Sequence, residues 1–349
     1  MKKNKSLKTI GQWGERSFLS SFVPQLSKIK PSFFIVPPGD DAAVLSSKGQ
    51  PVLTIDGLTE GTHFLFSWFK KWPKKIPFTF GRALGWKAMG SSLSDLAAMG
   101  PTIDRWVMVY LATPHQTPLT FLSEFQKGIQ ESAKHFHVSV VGGDTVKAKD
   151  LSIVVAAGGS LKGRAVTRSK AKVGDLVCVA GSVGDASVGL QLLKDNPLSR
   201  LRERVRVRER NYFIQRFFQH TPLFNEGSFL SEEPGVTSLM DLSDSLKDSL
   251  EILNTMSHVG FRIQVQNIPV SPMYKKWIEP KHSIKDLLYD RVLAGEDYAL
   301  LFTAHPSCLP RLEKRMKFSL IGEVRPLQRG NCYLLNGQKI TLAPSFSHF

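Results

Sequence analysis

The sequence predicts a protein of the α+β class with two domains, and two observations carry this prediction. The chain has 349 residues, which is enough for two hydrophobic cores. Apolar runs of strand length and segments with helical spacing of apolar residues occur in both halves. At 163–168 (GRAVTR) a basic, loop-like stretch interrupts the pattern before it starts again. We therefore expect an N-terminal domain at 1–162 and a C-terminal domain at 163–349.

The composition is that of a globular protein with anionic partners. Hydrophobic residues make up 42% of the chain and charged residues 22%, and the formal net charge is +16. Such a charge favours nucleic acid, an acidic membrane surface or phosphorylated small molecules as partners. Because the positive charge is spread along the chain, nucleotide and phosphate substrates fit it at least as well as nucleic acid does.

The cysteines and apolar segments predict a cytoplasmic protein. Cys178, Cys308 and Cys332 are too few and too widely spaced for a zinc site or a disulfide framework, so free thiols are expected. The basic start of the chain lacks the apolar run of a signal peptide. No apolar segment has the length of a membrane span. We expect neither a membrane nor a nucleic-acid partner.

Acidic side chains are concentrated at 39–63, in an otherwise basic chain. The apolar run at 52–55 (VLTI) predicts a buried strand, with Asp56 at its far end where a turn begins at Gly57. Carboxylates at a turn and a strand end are suitable ligands for a hard cation such as Mg²⁺. A solvated turn with Asp56 as a cap remains the alternative for this stretch alone. The groups concerned are Asp40, Asp41, Asp56, Glu60 and His63.

The spacing of apolar residues predicts helices at 14–26 and 118–135 and a buried strand at 105–111. The aromatic, lysine-rich segment 64–80 is interpreted as a loop whose aromatic side chains cover a core or a dimer interface. Stacking on single-stranded nucleic acid is the alternative. Its prolines argue against that alternative because they prevent a regular platform.

A helix is predicted at 80–99 (FGRALGWKAMGSSLSDLAAM), whose glycines allow close packing. Asp95 lies within it beside Ser92 and Ser94. A carboxylate on so small and close-packed a surface is costly unless it is paired or bound to a metal. Asp95 is therefore a better candidate ligand than an average aspartate.

Two strands are predicted within 137–155, joined by Gly142-Gly143-Asp144-Thr145. Two glycines before an aspartate let the backbone approach a phosphate while the carboxylate reaches a metal. A hairpin turn is the simpler alternative.

In the second half, 172–193 predicts a strand, a glycine turn and a helix. The turn at 181–184 lacks the lysine and hydroxyl residue that end a phosphate-binding P-loop, so strand-to-helix packing is its expected role. The alternating arginines and glutamates at 200–210 predict an exposed helix with ion pairs between neighbouring turns, rather than a nucleic-acid patch.

Acidic residues appear again at two later turns. Asp241 and Asp244 flank the entry of a strand into a helix, where cap oxygens and exposed N–H groups can meet a metal–phosphate complex. Glu296 lies just before an apolar strand within 293–303 (LAGEDYALLFT). A short hairpin is predicted through Asn336-Gly337.

These carboxylates accompany no Ser-His-Asp motif, no His-x-x-x-His pair and no cysteine nucleophile. A carboxylate-rich site without a nucleophile, in a basic protein, favours phosphoryl transfer with several Mg²⁺ ions.

In this order, GDDAAVL, TIDGLTEGTHF, SLSDLAAMGP, VVGGDT, AVTRSKAKVGDLVCVAGSVGDASVGLQLL, MDLSDSL, GEDYALLFT and SFSHF resemble the thiamine-monophosphate kinase family. The resemblance implies the two-domain aminoimidazole-ribonucleotide-synthetase-like fold, with a mixed β-sheet and helices on one face in each domain. It also implies a homodimer formed through the first domain's sheet, and an active-site cleft completed by the second domain. The implied reaction is ATP-dependent phosphorylation of thiamine monophosphate to thiamine diphosphate, with ATP as co-substrate and several Mg²⁺ ions.

The resemblance assigns roles to individual positions of this chain. The positions matching magnesium ligands are Asp41, Thr54, Ile55, Asp56, Asp95, Asp144, Asp241 and Asp244, with Thr54 and Ile55 contributing backbone or hydroxyl oxygen. Those matching ATP contacts are Gly143, Asp144, Arg168 and Ser243, and those matching substrate contacts are His63, Glu296 and Phe346. The expected catalytic set is Asp56, Asp95, Asp144 and Arg168. Asp40 and Glu60 are left with turn or support roles.

Four positions depart from the family pattern. Ile55 replaces a threonine, Ser245 and Ala294 each replace a glycine, and Ser347 replaces an aspartate. All six metal-type aspartates remain, so an active enzyme is expected. The alternatives are another ATP-dependent member of the superfamily, such as aminoimidazole ribonucleotide synthetase, and a basic nucleic-acid-binding protein. The motifs MDLSDSL, GEDYALLFT and SFSHF argue against another member of the superfamily. The six aspartates placed at turns argue against a nucleic-acid-binding protein.

Overall fold

A computed structural model of the chain describes Thr9 and residues 34–36, 44–45, 50–73, 76–194 and 207–343. The chain divides into two compact units. The first comprises the described residues of Met1–Leu93 and Ile103–Ser160, and the second those of Ser94–Thr102 and Leu161–Phe349. The predicted helix at 14–26 lies outside the described residues, as do Asp40, Asp41, Phe346 and Ser347.

The strands are β1 (Phe34–Val36), β2 (Val44–Leu45), β3 (Gln50–Thr59), β4 (Thr102–Thr113), β5 (Ser139–Lys147), β6 (Ser152–Leu161), β7 (Leu176–Ala180), β8 (Val236–Asp241), β9 (Val259–Gln264), β10 (Leu300–Ala304), β11 (Ser319–Pro326), β12 (Cys332–Leu335) and β13 (Gln338–Ile340). The α-helices are α1 (Ser67–Lys71), α2 (Phe80–Met99), α3 (Leu119–Phe136), α4 (Asp185–Leu193), α5 (Val207–Phe218), α6 (Phe224–Glu232), α7 (Leu246–Ser257), α8 (Pro272–Trp277), α9 (Ile284–Leu288) and α10 (Leu309–Glu313). A π-helical turn spans Tyr289–Leu293, and 3₁₀ turns span Val265–Asn267, Glu279–Lys281, Pro306–Cys308 and Leu327–Arg329. None of the helices among the described residues has both the length and the apolarity of a membrane span.

The first unit contains a four-stranded sheet in the order β3-β6-β4-β5, in which β4 and β5 are parallel. Helices α2 and α3 cross closely because glycines leave room for backbone contact. A Cβ at Gly85 would lie 2.4 Å from the carbonyl oxygen of Phe125, and one at Gly128 would lie 2.1 Å from that of Arg82. The predicted close packing of the helix at 80–99 is therefore confirmed.

One face of this four-stranded sheet carries exposed apolar side chains. Leu53 and Ile55 of β3 are 69% and 68% exposed, and Met108 and Tyr110 of β4 are also exposed. The prediction of a buried strand at 52–55 is therefore wrong. The apolar run lies on an outward face of β3, and alternation along the strand gives Thr54 and Asp56 the other face.

The second unit contains a seven-stranded mixed sheet in the order β13-β12-β9-β11-β7-β10-β8, in which β9 and β12 are parallel. One apolar cluster packs α7 against it through Leu250 and Leu253, and a second packs α6 and α10 through Leu230 and Leu312. The hairpin predicted at Asn336-Gly337 is confirmed: both residues have positive φ between the paired strands β12 and β13.

Arg164 fastens the start of the second unit to the end of α6. Its guanidinium donates hydrogen bonds to four backbone carbonyl oxygens, at 2.9 to 3.5 Å. These carbonyls belong to Leu230, Ser231, Glu233 and Val236. The hydroxyl of Ser231 in turn donates to the carbonyl oxygen of Arg164. The stretch 163–168, which was predicted only as a basic loop, thus contains an arginine whose hydrogen bonds stabilise the fold.

Two further predictions concern charged and aromatic segments. The aromatic segment 64–80 covers a core, as expected: Phe64, Trp68 and Phe80 are buried, and Phe66 contacts the ring of Phe121 edge-on at 5.0 Å. Of 200–210, residues 207–210 begin α5, and the earlier ones lie outside the described residues. Glu209 there is buried, so this end of the run is not wholly solvated.

Candidate active site

Two of the predicted ligand positions lie on the inner face of β3. Thr54 and Asp56 are half-buried, whereas Ile55 points to the opposite, exposed face. Asp56 was expected at the end of a strand, but β3 continues to Thr59, so the aspartate lies within the strand. Its Oδ1 accepts a hydrogen bond from the backbone N–H of Gly57 at 2.8 Å. Asp56 is therefore held by the strand rather than by a turn.

Asp144 and Gly143 also lie within a strand, contrary to the turn predicted for them. Strand β5 runs through Gly142-Gly143-Asp144-Thr145, with Asp144 opposite Tyr110 of β4. A Cβ at Gly143 would lie 2.1 Å from the carbonyl oxygen of Val109. Glycine is thus required here for the approach of β4. Asp144 is exposed, and its Oδ1 accepts from the N–H of Thr145 at 2.8 Å.

His63 and Glu60 occupy the turn that follows β3. The backbone N–H of Thr59 donates to Nδ1 of His63 at 3.1 Å, which leaves the ring proton on Nε2. The carboxylate of Glu60 accepts from the N–H of Phe66 at 3.3 Å. The turn role predicted for Glu60 is therefore confirmed. The side chain of His63 is half-buried in this turn.

In the second unit, Asp241 and Asp95 form an acidic pair beside Arg168. Asp241 ends β8, is only 1% exposed, and neither of its carboxylate oxygens has a hydrogen-bond partner among the described residues. Asp95 is half-buried in the last turns of α2. Burial first, and then the negative charge of Asp95, raise the pKa of Asp241 to about 7, while the nearby hydroxyl of Ser94 and the cationic Arg168 oppose this shift.

The loop between β8 and α7 presents Ser243 and Asp244 to solvent. Ser245 is buried and caps α7, because its hydroxyl oxygen accepts from the N–H of Asp248 at 3.1 Å. The serine that departs from the family pattern therefore has a structural function. The predicted entry of a strand into a helix at 240–250 is confirmed.

Glu296 lies against this loop in a left-handed conformation, with a φ of 73°. Its backbone N–H donates to the carbonyl oxygen of Ser243 at 2.8 Å. Its Oε2 accepts from the hydroxyl of Tyr298 at 3.3 Å. Gly295 permits the approach, since a Cβ there would lie 2.6 Å from the same carbonyl oxygen. Ser243 and Glu296 are thus brought together by the backbone.

A residue that the sequence did not single out completes this turn. Asp297 is 7% exposed, and its carboxylate accepts from the N–H groups of Gly184 and Ala186 at 2.7 and 3.1 Å. In the sequence, Asp297 is visible only as an acidic residue next to Glu296. The two residues whose N–H groups donate to it lie 113 and 111 positions earlier in the chain. Local pattern could not reveal them.

The donor set was tested for fit to Mg²⁺. Within the described part of the chain, no three His, Cys, Asp or Glu side chains converge closely enough to hold a metal ion alone. Asp241 nevertheless fits a cation, because a buried carboxylate beside a second carboxylate is costly, and a metal ion between it and Asp95 would lower that cost. Asp41 and Phe346 lie outside the described residues.

Comparison with known proteins identifies the family. The model of the family described as AIR synthase related protein, N-terminal domain, matches residues 39–161. Thiamine-monophosphate kinase from Buchnera aphidicola subsp. Acyrthosiphon pisum is 32% identical over 320 residues, covering 89% of this chain and 91% of the relative. That from Escherichia coli strain K12 is 30% identical over 323 residues, with the same coverage.

Solved structures agree. Thiamine-monophosphate kinase from Stenotrophomonas maltophilia K279a has a TM-score of 0.74 at 25% identity, covering 92% of this chain and 96% of that one. A structure described as AaThiL complexed with AMPPCP and TMP has a TM-score of 0.71 at 25% identity, covering 99% and 100%. The predicted α+β fold is confirmed. This chain belongs to the thiamine-monophosphate kinase family.

Proposed function

We propose that this protein transfers the γ-phosphoryl group of ATP to thiamine monophosphate and so forms thiamine diphosphate. The structural observation that carries the proposal is the buried acidic pair Asp241–Asp95, which folding alone would disfavour and a multi-cation phosphoryl-transfer site requires. Family membership supports the substrate, since relatives that cover nine-tenths of the chain are named for it.

Mg²⁺ would be held in the second unit by Asp95, Asp241 and Asp244, and in the first unit by Asp56, Asp144, the oxygens of Thr54 and the backbone of Ile55. These are oxygen donors, as a hard cation prefers. When bound, the ions would neutralise negative charge on the transferring group. Asp41 completes the proposed set.

The acceptor needs no general base. A phosphate monoester has a second pKa near about 6, so its oxygen is already largely ionised at neutral pH. That oxygen forms a bond to the γ-phosphorus as the bond to the β,γ-bridging oxygen breaks, and ADP leaves with the electron pair. Arg168 and the net positive charge of the chain lower the repulsion between the two anionic substrates. The transfer is direct and in line, without a phosphorylated enzyme.

Substrate contacts are assigned to His63, Glu296 and Phe346, and ATP contacts to Gly143, Asp144, Arg168 and Ser243. The Nε2–H of His63 suits a phosphate oxygen. The carboxylate of Glu296 suits the cationic thiazolium ring, because opposite charges attract most where water is partly excluded. Phe346 suits an aromatic ring of the substrate.

A homodimer through the sheet of the first unit is part of the proposal. The exposed apolar face formed by Leu53, Ile55, Met108 and Tyr110 supports it, because soluble monomers rarely leave such patches open. On this face, Gly158 leaves room for two neighbouring side chains, since a Cβ there would lie 2.5 Å from the ring of Trp106 and 2.9 Å from Leu53. The proposed compartment is the cytoplasm, where ATP is available and the three buried cysteines remain free thiols.

The test is direct conversion. Purified protein is incubated with ATP, Mg²⁺ and thiamine monophosphate, and the product is separated by chromatography as thiamine diphosphate. Product formation that chelation of Mg²⁺ abolishes is expected. A folded protein that forms no product would overturn the assignment, and phosphorylated enzyme after incubation with ATP alone would overturn the direct transfer.

A further inference from the structure

We propose that Asp297 is a positioning residue that holds Glu296 in place for the substrate, by anchoring their shared turn to the N-terminus of α4. The proposal rests on the proposed function, in which Glu296 contacts the substrate. Asp297 itself contacts neither substrate nor reacting atoms, because its carboxylate faces the backbone of α4.

The anchor consists of two hydrogen bonds at a helix end that has no cap of its own. Helix α4 starts at Asp185, and the preceding residue is Gly184, which has no side chain to cap the helix. One oxygen of Asp297 accepts from the N–H of Gly184 at 2.7 Å and the other from that of Ala186 at 3.1 Å. Asp297 thus supplies from a distant segment what a local cap supplies elsewhere.

The anchored turn is conformationally unusual. Glu296 and Tyr298, on either side of Asp297, have φ values of 73° and 53°. Non-glycine residues enter this left-handed region only where surrounding contacts compensate the strain. With residues 296 and 298 both held in that region, the direction of the Glu296 side chain depends on where Asp297 is fixed.

Three other contacts hold the turn from the side of the β8–α7 loop and of His220, and Asp297 connects it to α4. The N–H groups of Glu296 and Tyr298 donate to the carbonyl oxygens of Ser243 and Leu242 at 2.8 and 3.0 Å. The Tyr298 ring stacks on that of His220, with 3.8 Å between the centroids.

The environment of Asp297 allows its carboxylate to ionise only above neutral pH. Burial first, and also the charge of Asp185, raise the pKa of Asp297 to about 7, while the two backbone N–H groups and Arg216 lower it. The two N–H groups bind the ionised carboxylate more tightly than the neutral acid, although burial makes ionisation costly for the fold as a whole. The tests are therefore performed above that pH.

The decisive comparison is between Asp297→Asn and Asp290→Asn. In D297N, the side-chain amide oxygen can accept a hydrogen bond from only one of the two N–H groups of Gly184 and Ala186. The amide NH₂ then faces the other N–H group and cannot accept from it. Asp290 is a matched control: it is also buried and also binds α4, accepting from Ser187 and Gln191 at 2.7 and 3.0 Å, but it lies outside the turn. Both variants lose a buried carboxylate against the same helix.

For D297N we expect a KM for thiamine monophosphate about tenfold higher, with the KM for ATP and kcat within about twofold of wild type. For D290N we expect both KM values to be unchanged, even though its melting temperature falls. Equal KM values for thiamine monophosphate in wild type and D297N, or an equal rise in both variants, would overturn the positioning role.

Hydrogen exchange provides a readout that does not depend on substrate. Exchange of the 294–299 backbone should be at least about tenfold faster in D297N and unchanged in D290N. Unchanged exchange in D297N overturns the anchor, whereas a wild-type protein that forms no thiamine diphosphate overturns only the proposed function. If D297N does not fold, Asp297→Glu takes its place with the same expectations, because the longer side chain displaces the turn while keeping both acceptor oxygens.

Discussion

The backbone N–H of Glu296 donates to the carbonyl oxygen of Ser243 at 2.8 Å. In the proposed function, Ser243 contacts ATP and Glu296 contacts thiamine monophosphate. The hydrogen bond therefore joins, through two backbone atoms, the positions assigned to the donor and the acceptor. Gly295 makes the contact possible, since any side chain there would collide with the same carbonyl oxygen. Bringing two anions together requires such fixed geometry, because misplacement by about 1 Å can cost two orders of magnitude in rate.

The first prediction concerns Asp241→Asn. Turnover should be lost, while the melting temperature without Mg²⁺ at about pH 8 should rise by a few degrees, because the neutral amide removes the cost of an unpaired buried charge. Mg²⁺ should raise the melting temperature of wild type but not of the variant. Thermal unfolding with and without Mg²⁺ measures both effects.

Asp290→Asn is the control for that experiment. Asp290 is equally buried but accepts hydrogen bonds from Ser187, Gln191 and Tyr274, so the same substitution should lower the melting temperature. A D241N protein that is less stable than wild type, and still responds to Mg²⁺, would contradict the assignment of Asp241 as a ligand.

The second prediction concerns pH and Asp297. Its pKa is raised from 3.8 to about 7 in the folded protein, so between these values the folded state binds more protons than the unfolded state. The stability contributed by this group is therefore fully present below the unfolded pKa and is lost as pH rises through about 7. The amide of D297N does not titrate and lacks this loss.

Denaturant unfolding of wild type and D297N from about pH 5.5 to about pH 8.5 measures the effect. The difference in unfolding free energy between the two should narrow as pH rises, by at most about 1.4 kcal/mol per pH unit. A constant difference across this range would show that Asp297 has no raised pKa.

The third prediction concerns the two glycines of β5. Gly143→Ala should destabilise the protein by about 1–3 kcal/mol, because the new Cβ would lie 2.1 Å from the carbonyl oxygen of Val109. At Gly142, the nearest atom to a new Cβ is Cγ of Met108 at 4.0 Å, so Gly142→Ala should be tolerated. Thermal unfolding of the two variants measures the difference. Equal melting temperatures for G143A and G142A would mean that the backbone of β4 does not lie close to Gly143.

The fourth prediction concerns the apolar face of the first unit. Leu53→Glu should give a monomer, because it places a charge on the apolar face of the proposed interface. Val173→Glu is the matched control, since Val173 is a comparably exposed apolar residue in the second unit. Light scattering after gel filtration reports the mass. A wild-type monomer, or a dimer that survives L53E, would contradict the proposed interface.

Local patterns predicted whole elements well where the pattern is periodic or the turn is short. The helix at 80–99 and the Asn336-Gly337 hairpin are examples, since spacing and turn chemistry are encoded within a few residues. The strand at 52–55 was located correctly but assigned to the core. An apolar run looks the same in sequence whether its face packs inside the unit or lies exposed on the sheet.

The site was harder to predict because its geometry depends on partners far away in sequence. Gly143 was predicted in a connection between two strands, where glycine would let the backbone approach a phosphate, but the structure requires glycine there because β4 passes close to it. Asp297 was overlooked because its role depends on Gly184 and Ala186. Asp241, in contrast, was singled out by its place where a strand enters a helix and then by the resemblance, and its burial supplies a physical reason for its importance.

The four carbonyl contacts of Arg164 have a consequence for limited proteolysis. Trypsin cleaves after an arginine only when the side chain can leave the protein surface and enter the protease. The Arg164 guanidinium is held by the backbone at the end of α6, so this bond should resist cleavage in the native protein. Lys162, Arg168 and Lys170 are also exposed in this segment. A native digest should therefore cut after these residues and leave the bond after Arg164 intact.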